Sequence, residues 1–174
     1  MSQVRFIADL HFGHENMAIK RGFSGADEQD EHIIKMWNSV VHKNDTTYIV
    51  GDVTMEKRNY SILDRLKGSK IIILGNHDMP NHVPDLLQHV TKVAGMMKKK
   101  FHKERVTAFL THCPIHPMEL DNRVGINIHG HIHEHIVMQN EDNWGEVIIK
   151  PDPRYICVSC EQIDYTPKLI SELI

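Results

Sequence analysis

Ligand-type side chains follow a buried-strand pattern near the middle of this 174-residue chain. Residues 71–74 are four consecutive apolar side chains, three of them β-branched, and they lead directly into Gly75, Asn76, His77 and Asp78. Such a run is typical of a strand buried on both faces, and ligands of open α/β sheets bind beyond the carboxyl ends of such strands. Taken alone, the stretch also fits an ordinary turn, because Gly, Asn and Asp favour turns.

The pattern of an apolar run that ends in His, Asp or Asn recurs four more times. These ends add six ligand-type residues to Asn76: Asp9, His11, Asp52, His112, His131 and His133. The spacing of Asp9 and His11 would let both side chains leave one face of an extended segment and grip one ion. A set of imidazole, carboxylate and amide oxygen suits Mn, Fe, Co, Ni or Zn better than calcium. Because no cysteine takes part, a structural zinc site is disfavoured.

The number of candidate ligands indicates two ions that share a carboxylate rather than one ion. Two divalent ions bring four positive charges, of which Asp9 and Asp52 offset two and a bridging hydroxide one more. The remaining positive charge predicts an anionic substrate, and phosphate esters fit best. The alternative is that each histidine is an ordinary core or surface residue. All five positions together disfavour it, because buried polar groups cost free energy unless they are paired.

The elements that must position these residues follow from the hydrophobic pattern. The first half predicts strands at 4–8, 46–50 and 70–74, separated by a helix over about 26–42 and a short helix around residues 62–66. This alternation implies parallel pairing with helices outside the sheet. Beyond residue 90 a second, largely antiparallel or mixed sheet is predicted from extended runs at 92–97, 105–110, 125–129, 134–138, 146–149 and 154–159.

Composition narrows the class of protein. The length fits a single domain over residues 1–174, and a net charge of -3 provides no overall basic field for nucleic acid or anionic membranes. The start of the chain lacks signal-peptide features and no apolar run approaches membrane-spanning length, so we expect a cytoplasmic protein with no membrane partner.

The pair Cys157 and Cys160 has C-x-x-C spacing but falls in a strand-like stretch, where residues three apart point to opposite faces. A redox or zinc role for it is therefore disfavoured.

The motifs resemble, in order, the five motifs of the calcineurin-like metallophosphoesterases. They are Asp9-x-His11, Gly51-Asp52, Gly75-Asn76-His77-Asp78, His112 and Gly130-His131-x-His133. The resemblance spans residues 9–133, and the first motif, with His14 three residues after His11, is similar to that of small single-domain members from bacteria and phages. It implies an α/β fold in which two mixed β-sheets pack as a sandwich flanked by helices, the four-layer metallophosphoesterase fold.

The resemblance also implies a role for each motif residue. One ion would be held by Asp9, His11 and His133, the other by Asn76, His112 and His131, with Asp52 bridging them. His77 would protonate the leaving oxygen, and Asp78 of the same motif is counted with it as a catalytic candidate. The implied cofactor is two divalent ions, with Mn favoured and Fe, Zn, Co or Ni as alternatives. A hydroxide activated by these ions would attack phosphorus.

Several alternatives stay open on the substrate. Protein serine/threonine phosphatases of this superfamily follow Gly-Asp with Val-Asp-Arg-Gly, whereas Val53 and Thr54 follow here, so that class is disfavoured. A small phosphodiester or nucleotide-type phosphate is expected, with a nucleotide phosphomonoesterase as the alternative and a catalytically idle binding scaffold as the alternative of another class. A nuclease is disfavoured by the acidic balance, because phosphate contacts dominate nucleic-acid affinity. His14 and Arg123 are candidate substrate contacts, although His14 could instead orient a ligand and a loop arginine could simply be solvated.

Overall fold

The computed structural model describes residues 2–55, 57–121, 123–143 and 146–174. Its strands are β1 (Val4–Ile7), β2 (Thr46–Val50), β3 (Ser69–Ile73), β4 (Lys92–Ala94), β5 (Met97–Phe101), β6 (Val106–Leu110), β7 (Ile126–His129), β8 (Met138–Asn143), β9 (Glu146–Pro151), β10 (Tyr155–Cys157) and β11 (Lys168–Leu169). Its α-helices are α1 (Glu15–Lys20), α2 (Ala26–Val40), α3 (Val83–Leu86) and α4 (Ile170–Leu173). Short 3-10 helices span Lys57–Arg65, Pro80–His82, Pro117–Glu119 and Cys160–Gln162.

A five-stranded sheet is built mainly from the first half of the chain, in the order β11-β1-β2-β3-β4. Strands β1 to β4 run parallel, and β11 is antiparallel to β1. The parallel pairing predicted for the first three strands is confirmed. Its consequence is that the carboxyl ends of β1, β2 and β3 lie at the same edge of the sheet.

A four-stranded mixed sheet follows in the order β10-β7-β6-β5. Strands β10, β7 and β6 are parallel and β5 is antiparallel to β6, whereas β8 and β9 form a separate antiparallel hairpin. Two predicted runs are wrong in detail. The run at 92–97 is split between β5 and β4, and β4 belongs to the five-stranded sheet rather than to the predicted second sheet. Residues 134–137 lie before β8 rather than in a strand.

Strand β5 was missed because its sequence, Met97–Phe101, carries three successive lysines. It is an edge strand, where lysine is common because it discourages pairing with a further strand. Lys98 and Lys100 are exposed, whereas Lys99 places its ammonium 5.1 Å from the Tyr48 ring centroid and 5.6 Å from that of Phe101. Contact with aromatic rings lets this lysine occupy a half-buried position.

Two buried clusters give the layer order. One lies between the sheets and combines Phe6, Tyr48 and Ile73 of the five-stranded sheet with Leu110 and Ile128 of the four-stranded sheet. The other combines the opposite face of the five-stranded sheet with the helices, and its members include Ile7, Ile49, Ile72, Ile33, Trp37 and Leu63. The chain is therefore a mixed α/β protein in which two mixed sheets share a core and helices cover one of them.

Helix α2 is the longest helix and buries Ile33, Ile34 and Trp37 along one face. Its bounds match the helix predicted over about 26–42. The Trp37 indole N–H donates to the Lys67 carbonyl at 3.0 Å, which ties the helix to the turn before β3. Among the residues that the structure describes, no helix is long and apolar enough to cross a membrane.

Candidate metal centre

The predicted ligands come from five loops that follow strands of both sheets. Asp9 and His11 follow β1, Asp52 follows β2, Asn76 follows β3, His112 follows β6, and His131 and His133 follow β7. Two overlapping groups have ligand atoms within 4.8 Å of one another: Asp9, His11 and His133, and Asp9, Asp52 and His112. Residues more than 120 positions apart in the sequence thus meet at one place.

We call Asp9, His11 and His133 the inner half-site. His11 Nε2 lies 3.9 Å from Asp9 Oδ1, and the His11 and His133 rings stack with centroids 5.3 Å apart. The same Nε2 atom lies 3.7 Å from Asp52 Oδ2, so the Asp52 carboxylate borders this group. The inner half-site is closed to solvent around Asp9 and His11, whose exposed fractions are 0% and 2%.

We call Asn76, His112 and His131 the outer half-site. His112 Nε2 lies 3.0 Å from Asn76 Oδ1 and 3.3 Å from Asp52 Oδ2. The His112 ring makes an edge contact with the His131 ring, with the two centroids 5.1 Å apart. His112 Nδ1 lies 2.9 Å from the Val50 carbonyl, which can only accept, so Nδ1 carries a proton. In the neutral ring Nε2 then presents its lone pair to two oxygen atoms, an arrangement that a cation would satisfy. Asn76 and His131 are exposed.

The backbone that carries these ligands is strained. Eight non-glycine residues of the described chain have positive φ, and five are predicted ligands: Asp9 (57°), His11 (48°), Asp52 (55°), His131 (73°) and His133 (49°). Left-handed backbone is unfavourable for residues with a Cβ atom and concentrates at functional sites. The expectation that Asp9 and His11 leave one face of an extended segment is therefore wrong, because a turn, not strand alternation, brings them together.

Two motif glycines allow this close approach of loops. A Cβ atom on Gly75 would lie 2.2 Å from Asp52 Oδ1 and 2.5 Å from the Asp52 backbone nitrogen. A Cβ atom on Gly130 would lie 2.5 Å from Asp9 Oδ2. All three distances are shorter than van der Waals contact allows, so the backbone of one loop packs directly on the aspartate of another.

His11 gives the sharpest test of whether a metal fits. Both of its ring nitrogens are buried, and neither has a hydrogen-bond partner among the described residues. Such a group costs free energy unless something pairs with it. Burial lowers the pKa of His11 to about 3, against the opposing charge of Asp52, so the ring is neutral and keeps the lone pair that a metal needs. The donor set therefore fits a divalent cation.

The two carboxylates differ electrostatically. Burial raises the pKa of Asp9 above its ordinary value, although His112 and the Ser159 hydroxyl oppose the shift. Burial also acts to raise the pKa of Asp52, but hydrogen bonding to His112 and its charge outweigh that effect and leave the pKa lowered. Burial alone would lower the pKa of His112, which hydrogen bonding to Asp52 instead raises. The contact between Asp52 and His112 thus shifts the two pKa values apart, in the directions that favour opposite charges on the pair.

His77 lies at the open side of the cluster. Its side chain is 40% exposed, and its Nε2 atom lies 3.9 Å from Asp52 Oδ2. Its ring centroid is 5.6 Å from that of His11, and its backbone N–H donates to Asp52 Oδ1 at 3.0 Å. The ring can therefore reach both the cluster and a molecule that arrives from solvent.

Asp78, the other catalytic candidate, is buried and turned into the protein. Its carboxylate accepts the backbone N–H groups of Asp52 at 2.9 Å, Val53 at 3.1 Å and Gly75 at 2.8 Å. These bonds join the loops after β2 and β3. Through these bonds Asp78 positions the two loops. A catalytic role for Asp78 stays a prediction.

The two predicted substrate contacts have different positions. His14 is beside the cluster, with its ring in edge contact with His11 at 5.8 Å. Arg123 has an 86% exposed side chain, and its guanidinium pairs with Asp121 of the same loop at 2.9 Å. The contacts that the structure gives Arg123 do not include a predicted ligand.

Residues outside the five motifs also contact the cluster. The Ser159 hydroxyl donates to Asp9 Oδ2 at 2.7 Å, Glu161 Oε1 lies 2.9 Å from His133 Nδ1, and the Arg21 guanidinium donates to the Asp9 carbonyl at 2.7 Å. Sequence reasoning missed all three. Ser159 and Glu161 follow the apolar run 155–158, so the rule that found the ligands would have found them only if it had included Ser and Glu as well as His, Asp and Asn. Arg21 gives no such signal in the sequence.

Comparison with known proteins places this mixed α/β protein, with its candidate metal centre beyond the strands, in a family. No family model matches the chain. It is 30% identical over 176 residues to the uncharacterized protein MJ1445 of Methanocaldococcus jannaschii, which covers 96% of this chain and 86% of that protein. The chain belongs to the same family as MJ1445. It is also 27% identical over 190 residues to the gene 66 protein of Mycobacterium phage D29, covering 94% of each.

The fold also has a counterpart among solved structures. The crystal structure of AQ665, a protein of unknown function from Aquifex aeolicus, superposes with a TM-score of 0.75. The match covers 99% of this chain and 97% of that protein at 22% sequence identity. The similarity therefore concerns the fold of the whole chain.

Proposed function

We propose that this protein is a metal-dependent phosphoester hydrolase of the calcineurin-like metallophosphoesterase type, with the four-layer fold of that superfamily. One observation carries the proposal. Ligand-type side chains from five loops converge on a buried cluster in which neither ring nitrogen of His11 has a hydrogen-bond partner among the described residues. The strained backbone at five of the seven positions supports a functional reason for this convergence.

Two divalent ions would be held by the inner and outer half-sites, with Asp52 between them, and Mn is the first choice among the metals that such ligands suit. When bound, two such ions supply a nucleophilic hydroxide at neutral pH and neutralise charge on phosphoryl oxygens. The positive charge that the two carboxylates leave uncompensated favours an anionic substrate.

The protein's own side chains supply the remaining steps. His77 protonates the leaving oxygen, a role supported by its 40% exposed ring beside the Asp52 carboxylate. Its position is held by the bond from its backbone N–H to Asp52 Oδ1. Asp78 keeps this loop in place by accepting backbone N–H groups of Asp52 in the loop after β2 and of Gly75 in its own loop. His14, whose ring contacts His11, is the proposed substrate contact beside the cluster.

The proposed substrate is a small phosphodiester or a nucleotide-type phosphate, with a phosphomonoester as the alternative. The net charge of -3 favours a small molecule over nucleic acid, whose binding depends on basic contacts to phosphate. A cytoplasmic location accompanies this proposal as a sequence-based prediction.

The test is hydrolysis by protein that has been stripped of metal and then reconstituted with Mn. Paired aromatic phosphomonoester and phosphodiester substrates with the same leaving group are compared, and the Asp52→Ala variant is the control. Turnover that requires Mn and disappears in the variant is expected, and the faster substrate of the pair assigns the ester class. Folded, Mn-loaded protein without turnover on either substrate would favour the binding scaffold instead.

A further inference from the structure

Residues 157–162, which contain the C-x-x-C pair, lie directly against the inner half-site. Besides the contacts of Ser159 with Asp9 and of Glu161 with His133, the Gln162 side-chain amide donates to the His133 carbonyl at 3.0 Å. The Cys157 thiol lies 3.7 Å from the same carbonyl. One short segment therefore holds two of the three inner ligands. The contacts given for residues 157–162 therefore point to a role in supporting the metal ligands rather than to a redox role for Cys157 and Cys160.

Glu161 is joined in turn to the loop that carries the other inner ligands. Arg21, whose side chain is only 2% exposed, donates from Nε to Glu161 Oε1 at 2.7 Å. Its two other nitrogens donate to the Asp9 carbonyl at 2.7 Å and the Leu10 carbonyl at 3.3 Å. The ion pair of buried Arg21 with half-buried Glu161 thus connects the consecutive carbonyls of Asp9 and Leu10, at the strained turn, to the ring of His133.

Gln29 of helix α2 completes the connection. Its side-chain oxygen accepts from Arg21 at 3.0 Å, and its side-chain amide donates to the His11 carbonyl at 3.2 Å. All three inner ligands are therefore linked to Arg21 and Glu161 by hydrogen bonds. The outer half-site is supported differently, by the contact of His112 with the Val50 carbonyl.

The chemistry of this contact determines what His133 offers a metal. An ionised carboxylate only accepts hydrogen bonds, so His133 must carry a proton on Nδ1 where it meets Glu161. A neutral ring protonated on Nδ1 has its lone pair on Nε2. A carboxylate that binds the nitrogen of a histidine ring facing away from the metal orients that ring. Removal of such a carboxylate typically weakens metal affinity by about 10- to 100-fold.

We propose that Glu161, backed by Arg21, is a positioning residue that fixes the Nδ1-protonated tautomer of His133 and thereby sets the affinity of the inner half-site for a divalent cation. This inference rests on the proposed metal centre. It predicts that replacement of Glu161 weakens the binding of one of the two ions and leaves the binding of the other nearly unchanged.

The experiment is a calorimetric Mn titration of metal-stripped full-length protein, with free Mn followed by electron paramagnetic resonance. Glu161→Gln is compared with wild type and with Glu31→Gln, a matched control whose glutamate pairs with Arg65 at the exposed surface. In Glu161→Gln we expect one Mn site to weaken about 10- to 100-fold while the other changes less than about threefold. The control should bind Mn as wild type does.

A second variant covers the case in which Glu161→Gln leaves buried Arg21 unpaired and fails to fold. Ser159→Ala removes the hydrogen bond to Asp9 without burying a charge, and we expect it to weaken the same Mn site. Histidine-ring 15N NMR of metal-free protein at alkaline pH reports which ring nitrogen of His133 carries the proton. General destabilisation of the protein would not change this tautomer. Wild-type His133 should be protonated on Nδ1. Folded Glu161→Gln replaces the carboxylate by a weaker amide acceptor, so this preference should weaken and a fraction of His133 protonated on Nε2 should appear.

The outcomes separate the inference from the function on which it rests. If wild type binds two Mn ions and folded Glu161→Gln binds both with unchanged affinity, the inference is wrong and the metal centre stands. Equal weakening of both sites with no change in the His133 tautomer would also overturn it, because that pattern indicates a general structural role. Wild type that binds no Mn would overturn the metal centre and the inference together.

Discussion

The inner and outer halves of the candidate centre use the same kinds of side chain but are held in different ways. In the inner half, Asp9 and His11 are buried, and the ion pair of buried Arg21 with half-buried Glu161 joins the loops around them. In the outer half, Asn76 and His131 are exposed and only His112 is buried. A rigid, enclosed set of ligands favours tight binding, whereas an open one allows exchange and access. We therefore expect a tightly held inner ion and a weaker outer ion beside the substrate.

The largest effect is expected at Asp52, where the two halves meet. Asp52→Ala should lose both ions and nearly all activity, because its carboxylate lies between His11 and His112. Metal content by elemental analysis should fall from about two ions per chain to near zero. Asp64→Ala, which removes an exposed carboxylate, is the matched control. Full metal content in Asp52→Ala would contradict the shared position.

Removal of one histidine from each half tests the difference between the halves directly. His131→Ala should keep about one ion per chain, because the buried inner ligands remain. His11→Ala should keep less, since the more tightly held ion loses a ligand. His102→Ala, an exposed histidine in the turn after β5, serves as the control. Equal metal loss in the His11 and His131 variants would remove the basis for the distinction.

Replacement of His77 separates chemistry from metal binding on the open side. His77→Ala should lower kcat by about a hundredfold or more on a substrate with a poor leaving group, because the leaving oxygen is no longer protonated. Metal content should stay at the wild-type level. An unchanged kcat on that substrate would exclude His77 as the acid.

A smaller effect is expected from an added methyl group between the loops. Gly75→Ala should destabilise the metal-free protein by about 1–3 kcal/mol, because the new carbon would overlap the Asp52 backbone nitrogen. Gly95→Ala is the matched control, since a Cβ atom there meets nothing within 4 Å, and it should change stability by less than about 0.5 kcal/mol. Urea denaturation measures both, and equal stability of the two variants would show that the loops can move apart at no cost.

The smallest effect is expected at Arg123. Because its guanidinium pairs with Asp121 at the surface, Arg123→Ala should change kcat/KM less than about twofold and stability less than about 0.5 kcal/mol. Steady-state kinetics on the preferred ester is the measurement. A tenfold rise in KM would restore the sequence-based prediction that Arg123 contacts the substrate.

The order of buried strands and the identity of the ligand candidates could be predicted from local sequence. Runs rich in β-branched and aromatic residues, such as 46–50 and 71–73, favour strands, and the polar residues that follow them lie at the edge of the sheet. Parallel pairing then brings Asp9, Asp52 and Asn76 to the same edge. Strand β5 escaped prediction because an edge strand tolerates lysines that a buried strand would not.

The sequence by itself determined the residue types at the five strand ends, and with them the donor atoms of the candidate metal centre. Only the tertiary structure decided how they are held: the left-handed backbone at Asp9 and His11, the inward turn of Asp78, and the support of His133 by Glu161 and Arg21. The physical reason is the sequence separation over which the interactions act. Strand formation depends on neighbours within a few residues, whereas backbone strain and burial are set by contacts such as that between Ser159 and Asp9, which lie 150 positions apart.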